Sequence, residues 1–338
     1  MEPDRWLGLD LRHLVALKAI ADAGSFGRAA EQLGYTQSAI SQQIATLERV
    51  VGMRLVERPG GPRPISLTEA GTILLRHASA IEARLLAAKA DMDALAAGDA
   101  GRLRVGTFQS VGAKVIPALL RRFGMEHPQV EVVLQESPDE EELLGLVERG
   151  ALDLTFMTLP ANHGPLDEVE LFSDPYVLLV PVGSPLAAPK RTPTLREIAL
   201  HPLIGFSKCR AMDAVETQLA SSGRQPNVVF RSDNNGTVQG LVGAGVGISI
   251  APLLTVQAGD ESVEIVDLAG RVAPRVIGLV WHRDRHRSAA AEAFVETAIA
   301  VCSELSQAAL AQPVRKQPVR AQPIRTQPVP TQPVRRTA

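Results

Sequence analysis

A predicted helix that begins after Thr36 has one apolar side and one polar side. Its inward positions are all apolar: Ala39, Ile40, Ile44, Leu47 and Val51. Its outward positions are polar and uncharged: Gln37, Ser38, Ser41, Gln42 and Thr46. Amide and hydroxyl side chains donate and accept hydrogen bonds, which suits the edges of nucleic-acid bases better than simple solvation. The pattern therefore predicts recognition by hydrogen bonding along this outward side.

The segments around this helix predict a compact helical unit. Residues 11–23 show a helical apolar stripe that ends at Gly24, and Ser25 is placed to cap a second helix over residues 26–33. Gly34 supplies the turn between the second and third helices. Two short β-prone runs in RLVERPGGPRPISLT, residues 54–68, surround a Gly/Pro-rich tip and predict a hairpin. Three helices followed by a hairpin predict a winged helix-turn-helix.

Charge is distributed unevenly along the chain. The 338 residues have a formal net charge of −2, which is not typical of a phosphate-binding protein. Arg54, Arg58 and Arg63 nevertheless cluster around the predicted hairpin. A local patch of cations, and not the charge of the whole chain, is what meets a phosphate backbone.

A long helix is predicted over residues 68–97. Its apolar positions alternate in spacing between four and three residues: Leu74, Ala78, Ile81, Leu85, Ala88, Met92 and Leu95. Such a narrow seam is typical of a coiled coil and predicts that this helix holds two chains together. The alternative is a helix that packs on its own domain. Gly98 and Gly101 follow as a hinge.

From residue 102 onward, predicted strands and helices alternate. This order predicts an α/β region with mainly parallel sheets. Its two halves are expected to meet near residues 172–175 and again near residues 267–274.

Over residues 9 to about 306 the chain resembles the LysR-type transcriptional regulators. The resemblance is carried by seven segments in order: FGRAAEQLGYTQSAISQQIATLE at 26–48, Gly52 with Leu55 and Glu57-Arg58, LTEAG at 67–71, LRVGT at 103–107, GALDL at 150–154, HPLI at 201–204, and GLVGAGVGISIAP at 240–252. Two positions depart from the family pattern, since Val56 stands where Phe is usual and Ser38 where Pro is frequent.

The resemblance implies a multidomain α + α/β architecture with four parts. These are a winged helix-turn-helix DNA-binding domain at 1–67, a linker and dimerisation helix at 68–98, a two-lobed effector-binding domain of periplasmic-binding-protein type at 99–306, and a tail at 307–338. Lobe I would comprise residues 101–173 and 271–306, and lobe II residues 174–270.

The resemblance also implies a function. The N-terminal domain would bind double-stranded promoter DNA at an inverted repeat, as a homodimer or homotetramer. Gln37, Ser38, Ser41 and Gln42 would contact bases or backbone. The positions expected on phosphates, including the wing, are Ser25, Arg28, Arg58 and Arg63.

The resemblance places an effector in the cleft between the two lobes. Polar residues where a strand gives way to a helix are the best ligands, because free N–H groups and the helix dipole favour anions. Those residues are Thr107, Gln109, Ser110, Ser207, Lys208, Cys209, Asn234, Asn235 and Thr237. Lys208 and Arg210 suggest an anionic small molecule, and a surface ion pair is the competing interpretation.

Other motifs favour no catalytic role, cofactor or metal. GAGVG at 243–247 precedes a strand instead of following one, which is the wrong order for a phosphate-binding loop. No Ser/His/Asp arrangement or P-loop stands at motif spacing, so the chain is not expected to be an enzyme. Cys209 could be a sensor thiol, but a structural thiol is favoured without a visible resolving partner. No apolar run approaches the length of a membrane span, so a cytoplasmic protein is expected.

The last segment repeats Gln-Pro every five residues from Gln312. It carries six cations and no acid, which leaves about −8 on the rest of the chain. Proline-rich repeats favour an extended, disordered tail, with non-specific DNA attraction or simple solvation as alternative roles.

The sequence therefore predicts an effector-responsive, DNA-binding regulator, with contact to RNA polymerase as a further expectation. The main rival is a solute-binding or enzymatic protein that uses the winged helix only for dimerisation.

Overall fold

A computed structural model describes residue 6 and residues 9–57, 64–97, 101–161, 164–189, 191–207 and 210–311. The predicted proline-rich tail from Gln312 lies outside these residues. No helix in the described ranges is long and apolar enough to cross a membrane.

The N-terminal part is a winged helix-turn-helix, as predicted. Its elements are α1 Leu11–Ala23, α2 Phe26–Leu33, α3 Gln37–Val51, β1 Val56–Glu57 and β2 Ser66–Leu67. The strands β1 and β2 pair antiparallel and form the base of the wing. Each of the three helices ends at a glycine with left-handed backbone, Gly24, Gly34 and Gly52. One hydrophobic core joins α1, α2 and α3 to the start of the long helix that follows.

The long helix α4 spans Glu69–Ala97. Its first two seam residues, Leu74 and Ala78, are buried in the core of the winged-helix unit. The seam positions that follow are exposed: Ile81, Leu85, Ala88 and Met92. These four residues are called the exposed seam below. The side chain of Leu95 lies outside the described part of the chain. Packing on its own domain therefore accounts for the first stretch of α4, and the dimer contact stays a prediction for the exposed seam.

Lobe I is built on a five-stranded sheet with the order β4-β3-β5-β12-β6. The strands are β3 Arg102–Thr107, β4 Glu131–Glu136, β5 Leu154–Leu159, β6 Leu166–Asp174 and β12 Arg275–His282. Its helices are α5 Gln109–Lys114, α6 Ile116–Glu126, α7 Glu140–Glu148 and α11 Ala289–Ala311. Phe123, Phe156 and Phe294 are the largest fully buried side chains of this lobe.

Lobe II contains a three-stranded sheet and a two-stranded sheet. Its strands are β7 Tyr176–Pro181, β8 Pro202–Gly205, β9 Asn227–Arg231, β10 Ser249–Pro252 and β11 Val263–Asp267. Its helices are α8 Leu195–Ile198, α9 Arg210–Ser221 and α10 Asn235–Gly243. A parallel bridge between Leu203 and Ile248 connects the two sheets, and one hydrophobic cluster fills the lobe.

The expectation of mainly parallel sheets is wrong. Strand β3 pairs parallel with β4 and β5, but β12 pairs antiparallel with both β5 and β6. In lobe II, β7 pairs antiparallel with β10 and β11. The reason is the path of the chain. It leaves the first sheet after Asp174 and re-enters it at Arg275, so β12 starts at the crossing and runs away from it.

Candidate functional site

The polar side of α3 is exposed because its apolar side is fixed in the core. Ile40, Ile44 and Leu47 are fully buried. Thr36 caps the helix, since its hydroxyl accepts a hydrogen bond from the backbone N–H of Ala39 at 3.2 Å. Gly34 has φ +70, a left-handed conformation that lets α2 and α3 meet at a tight angle.

The four residues predicted to contact bases or backbone share the outer side of α3 and are called the recognition face below. Gln37, Ser38 and Gln42 are exposed, and Ser41 is half-buried. The hydroxyl of Ser38 lies 3.0 Å from the hydroxyl of Thr36, within hydrogen-bond distance. The recognition face contains no charged residue.

Two of the predicted phosphate contacts lie near the start of α2. Ser25 occupies the N-cap position, but its hydroxyl makes no capping hydrogen bond. Ser25 Oγ and Gln37 Oε1 lie 3.8 and 3.9 Å from the position that a Cβ on Gly27 would take. Gly27 therefore lies between a polar group at the start of α2 and one at the start of α3.

Arg28 lies beside the base of the wing. Its guanidinium Nη2 is 3.6 Å from the position that a Cβ added to Gly24 would take. Pro64 Cβ is 3.7 Å from the same position. The backbone N–H of Ile65 donates to the carbonyl of Gly24 at 3.0 Å, which ties the wing to the end of α1. The other two predicted phosphate contacts, Arg58 and Arg63, lie outside the described residues.

A buried set of charged and polar groups lies where the two lobes meet. Arg275 Nε donates to Asp174 Oδ2 at 2.9 Å, and Arg275 Nη2 donates to Ser110 Oγ at 2.9 Å. The other oxygen of Asp174 accepts from the backbone N–H of Leu254 at 2.9 Å. These four residues are called the hinge network below. The Arg275 guanidinium also lies 5.5 Å from the centroid of the Phe108 ring, within cation–π distance.

The hinge network is almost fully removed from water. The side chains of Arg275 and Asp174 are 7% and 3% exposed. Burial raises the pKa of the Asp174 carboxyl, and the charge of Arg275 and the Leu254 amide oppose that rise. The network joins α5 of lobe I, both crossing strands, and the turn at Leu253–Thr255 in lobe II.

A hydrogen bond crosses from lobe I to the start of α10 in lobe II. The backbone N–H of Asn235 donates to Gln109 Oε1 at 2.9 Å. Asn234 caps the same helix, because its side-chain oxygen accepts from the backbone N–H of Thr237 at 2.9 Å. Gln109 Oε1 therefore accepts from one of the backbone N–H groups that have no partner within the helix at the N-terminus of α10.

Among the described residues, the structure places the predicted effector ligands in a set around the start of α10, a buried pair at the end of β3 and in α5, and Ser207 after β8. Gln109 and Asn235 contact each other, and Asn234 and Thr237 lie on the exposed first turn of α10. Thr107 and Ser110 are buried, with Ser110 held by Arg275. Ser207 is exposed after β8. Lys208 and Cys209 lie outside the described residues.

Sequence reasoning missed Arg275 and Asp174 as partners. They are 101 positions apart, and no short motif includes both. The only available signal was that each stands at the edge of a segment where the two halves were expected to meet. That signal predicts where the chain crosses but not which side chains pair there.

Comparison with known families matches both parts of the chain. Residues 11–72 match the family model described as "Bacterial regulatory helix-turn-helix protein, lysR family". Residues 96–303 match the family model described as "LysR substrate binding domain".

Individual relatives match over most of their length. YybE of Bacillus subtilis, an uncharacterised HTH-type transcriptional regulator, is 32% identical over 279 residues, which cover 82% of this chain and 94% of YybE. The HTH-type transcriptional regulator CbbR of Rhodospirillum rubrum is 32% identical over 295 residues, covering 84% of this chain and 94% of CbbR. The solved structure of a cysteine mutant of Corynebacterium glutamicum OxyR is 26% identical, with a TM-score of 0.57, and covers 92% of this chain and 97% of the OxyR chain.

A helix-turn-helix followed by a substrate-binding domain defines a DNA-binding transcriptional regulator with an effector-binding domain. The chain belongs to the LysR family of these regulators. LysR regulators bind promoter DNA and small-molecule effectors, and they form oligomers.

Proposed function

We propose that the chain binds an inverted-repeat promoter site as a dimer and contacts base edges with Gln37, Ser38, Ser41 and Gln42. The observation that carries this proposal is the recognition face: an exposed, uncharged polar surface on a helix whose opposite side is fully buried. Glutamine amides form paired hydrogen bonds with adenine, and serine hydroxyls bond to several bases.

Ser25, Arg28, Arg58 and Arg63 contact phosphates in this proposal and set the register of α3 on the duplex. The free hydroxyl of Ser25 and the position of Arg28 next to the wing support this division of roles. Phosphate contacts add affinity for every sequence, whereas base contacts distinguish one sequence from another.

An electrophoretic shift assay on the DNA upstream of the chain's own gene tests the proposal. Gln37→Ala and Gln42→Ala should each remove about 1–3 kcal/mol of discrimination between that DNA and a scrambled duplex. Arg28→Ala should weaken both duplexes alike and reduce the salt dependence of binding. Gln32→Ala is the matched control, because Gln32 is an exposed glutamine on the neighbouring helix α2.

Equal binding to specific and scrambled DNA by the unchanged chain would contradict the proposal. It would favour the rival in which a solute-binding or enzymatic protein uses the winged helix only for dimerisation. We infer that the chain is not an enzyme and acts in the cytoplasm, where promoter DNA and RNA polymerase are available to it.

The exposed seam of α4 is the proposed contact with a second copy in a homodimer, and dimers pair further into a homotetramer. Ile81, Leu85 and Met92 are each more than two-fifths exposed, which is costly for large apolar side chains on one helix face. Sedimentation should detect a smaller species for Ile81→Gln/Leu85→Gln. Ser79→Gln/Ala80→Gln, on a different side of the same helix, should leave the mass unchanged, and equal masses for both pairs would contradict the assignment.

The effector is proposed to be an anionic small molecule in the cleft, near Thr107, Gln109, Ser110, Ser207, Lys208, Cys209, Asn234, Asn235 and Thr237. Gln109 Oε1 already accepts from the Asn235 amide, so an acceptor oxygen of the effector could take over this bond. Binding would then change the angle between lobes through a difference in affinity for two states.

Thermal unfolding of the full chain with a panel of small carboxylic acids and the matching neutral amides tests the effector class. At least one acid should raise Tm, and its amide should not. A panel in which no acid raises Tm, or in which amides do so equally, would contradict an anionic effector. We propose domain boundaries at residues 67, 98 and 306, and the last helix α11 continues past the third of these to Ala311.

A further inference from the structure

The helix α4 has a second face that differs from the exposed seam. Alanines recur on this side with spacings of four and three residues, Ala83, Ala87 and Ala90, and all three are at least partly buried, whereas Ala80 one turn earlier is exposed. At 100° per residue, Ala87 points about 130° away from the middle of the exposed seam. Ala87 is 1% exposed, although it lies in the half of α4 beyond the winged-helix core.

Lobe I covers Ala87 through the turn that follows α7. Gly150 at this turn has φ +74, and a Cβ added to it would lie 3.0 Å from Ala87 Cα, 3.1 Å from Ala90 Cβ and 3.1 Å from Arg285 Cζ. Ala87 Cα belongs to the backbone and cannot rotate away. A Cβ at position 150 would therefore require lobe I or α4 to move by a few tenths of an ångström, and a longer side chain would require a larger displacement.

Arg285 fixes this turn from inside lobe I. Its side chain is 10% exposed, and its Nη1 donates to the carbonyl of Leu152 at 3.2 Å. Its Nη2 lies 3.8 Å from Asp153 Oδ1. The next residue toward the N-terminus, Asp284, forms an ion pair with Arg84 of α4, with Oδ2 and Nη1 3.9 Å apart.

The contact is narrow. A cavity of about 220 Å³ opens beside it, between Lys18 of α1, Arg76 of α4 and Arg149 of lobe I. The cavity leaves α4 and lobe I unpacked on this side of the contact between Ala87 and Gly150.

We propose that the alanine face of α4 is a docking surface for the chain's own lobe I, and that Gly150 is the residue that permits it. The helix is then held between two partners, with the exposed seam facing a second copy and the alanine face carrying lobe I. A movement of lobe I is passed to the winged-helix unit through direct contact with α4, and not only through the covalent link at residues 98–100.

Two glycine substitutions separate the contact from backbone strain. Asparagine tolerates left-handed backbone, so Gly150→Asn mainly adds a side chain against α4. Gly183→Asn is the matched control, because Gly183 has φ +79 with no atom within 4 Å of its Cβ position. Small-angle scattering of the full chain should show a larger radius of gyration for Gly150→Asn and no change for Gly183→Asn.

A thiol probe reports on the contact directly. In a Cys209→Ser/Cys302→Ala background, the thiol of Ala87→Cys should react with a maleimide about tenfold or more slowly than that of Ala80→Cys, because a buried thiol reacts only when the contact opens. Adding Gly150→Asn should remove this difference, and adding Gly183→Asn should preserve it.

Ala87→Leu tests the same surface from the side of α4 and keeps a high helix propensity. It should enlarge the radius of gyration as Gly150→Asn does, whereas Ala80→Leu should not. The proposal is overturned if neither Gly150→Asn nor Ala87→Leu changes the radius, or if the two introduced thiols react equally fast in the parent background.

Discussion

The recognition face and the cleft between the lobes are built in opposite ways. All four residues of the recognition face lie within six positions of one another on a single helix. The hinge network instead joins Ser110, Asp174, Leu254 and Arg275, which come from four separate segments. The first site is exposed and uncharged, and the second is buried and charged.

This difference predicts how each site responds to mutation. The recognition face depends on one helix that its own core and cap hold in place, so most of its residues can change without loss of fold. The hinge network stabilises charges removed from water, so the loss of one partner leaves another unpaired. Mutations should therefore separate into those that change DNA recognition and those that unfold the effector domain.

Removing the charge of Arg275 should give the largest effect. Arg275→Met leaves the buried Asp174 carboxylate unpaired and should lower the stability of the effector domain by about 3–5 kcal/mol. Thermal unfolding of the full chain should show the loss, and Arg275→Met/Asp174→Asn should recover part of it. A stable Arg275→Met variant would show that the hinge network is not buried in solution.

A cavity beneath α3 should have the next largest effect and should be confined to the other domain. Ile44 is fully buried, so Ile44→Ala should destabilise the winged-helix unit by about 2–5 kcal/mol. DNA binding should fall, while hydrogen exchange in the lobes stays unchanged. Faster hydrogen exchange in lobe I as well would show that the two domains unfold together. The recognition face and the hinge network would then not respond separately to mutation.

The two cap positions should differ although both are hydroxyl residues. The hydroxyl of Thr36 caps α3, so Thr36→Ala should cost about 0.5–2 kcal/mol of stability. Ser25 makes no such bond, so Ser25→Ala should leave Tm nearly unchanged and lower DNA affinity instead. If thermal unfolding shows that both variants lose the same amount of Tm, Ser25 also acts as a cap.

The smallest effect concerns the buried thiol of lobe I. Burial raises the pKa of Cys302 to about 12, so almost no thiolate exists near neutral pH. Cys302 should therefore resist alkylation in the folded chain and react only after unfolding, which mass spectrometry can measure. Modification of folded Cys302 at neutral pH would show that lobe I opens readily.

Most of the winged-helix unit could be predicted from the sequence. The three helices, the Gly34 turn and the inward residues Ile40, Ile44 and Leu47 follow from periodicity and capping over short distances. The order of lobes and the places where the chain crosses between them also had sequence signals. The strand directions did not, because the prediction of mainly parallel sheets ignored the return of β12 from the second lobe.

The sequence alone determined the helix-turn-helix, the family, and the polar residues that α3 turns outward, because helical periodicity links neighbours within a few positions. Only the tertiary structure decided that Leu74 and Ala78 belong to the winged-helix core, that Arg275 pairs with Asp174, and that Gly150 rests on Ala87. Such contacts depend on where distant segments pack, and no local pattern of apolar and polar residues specifies that placement.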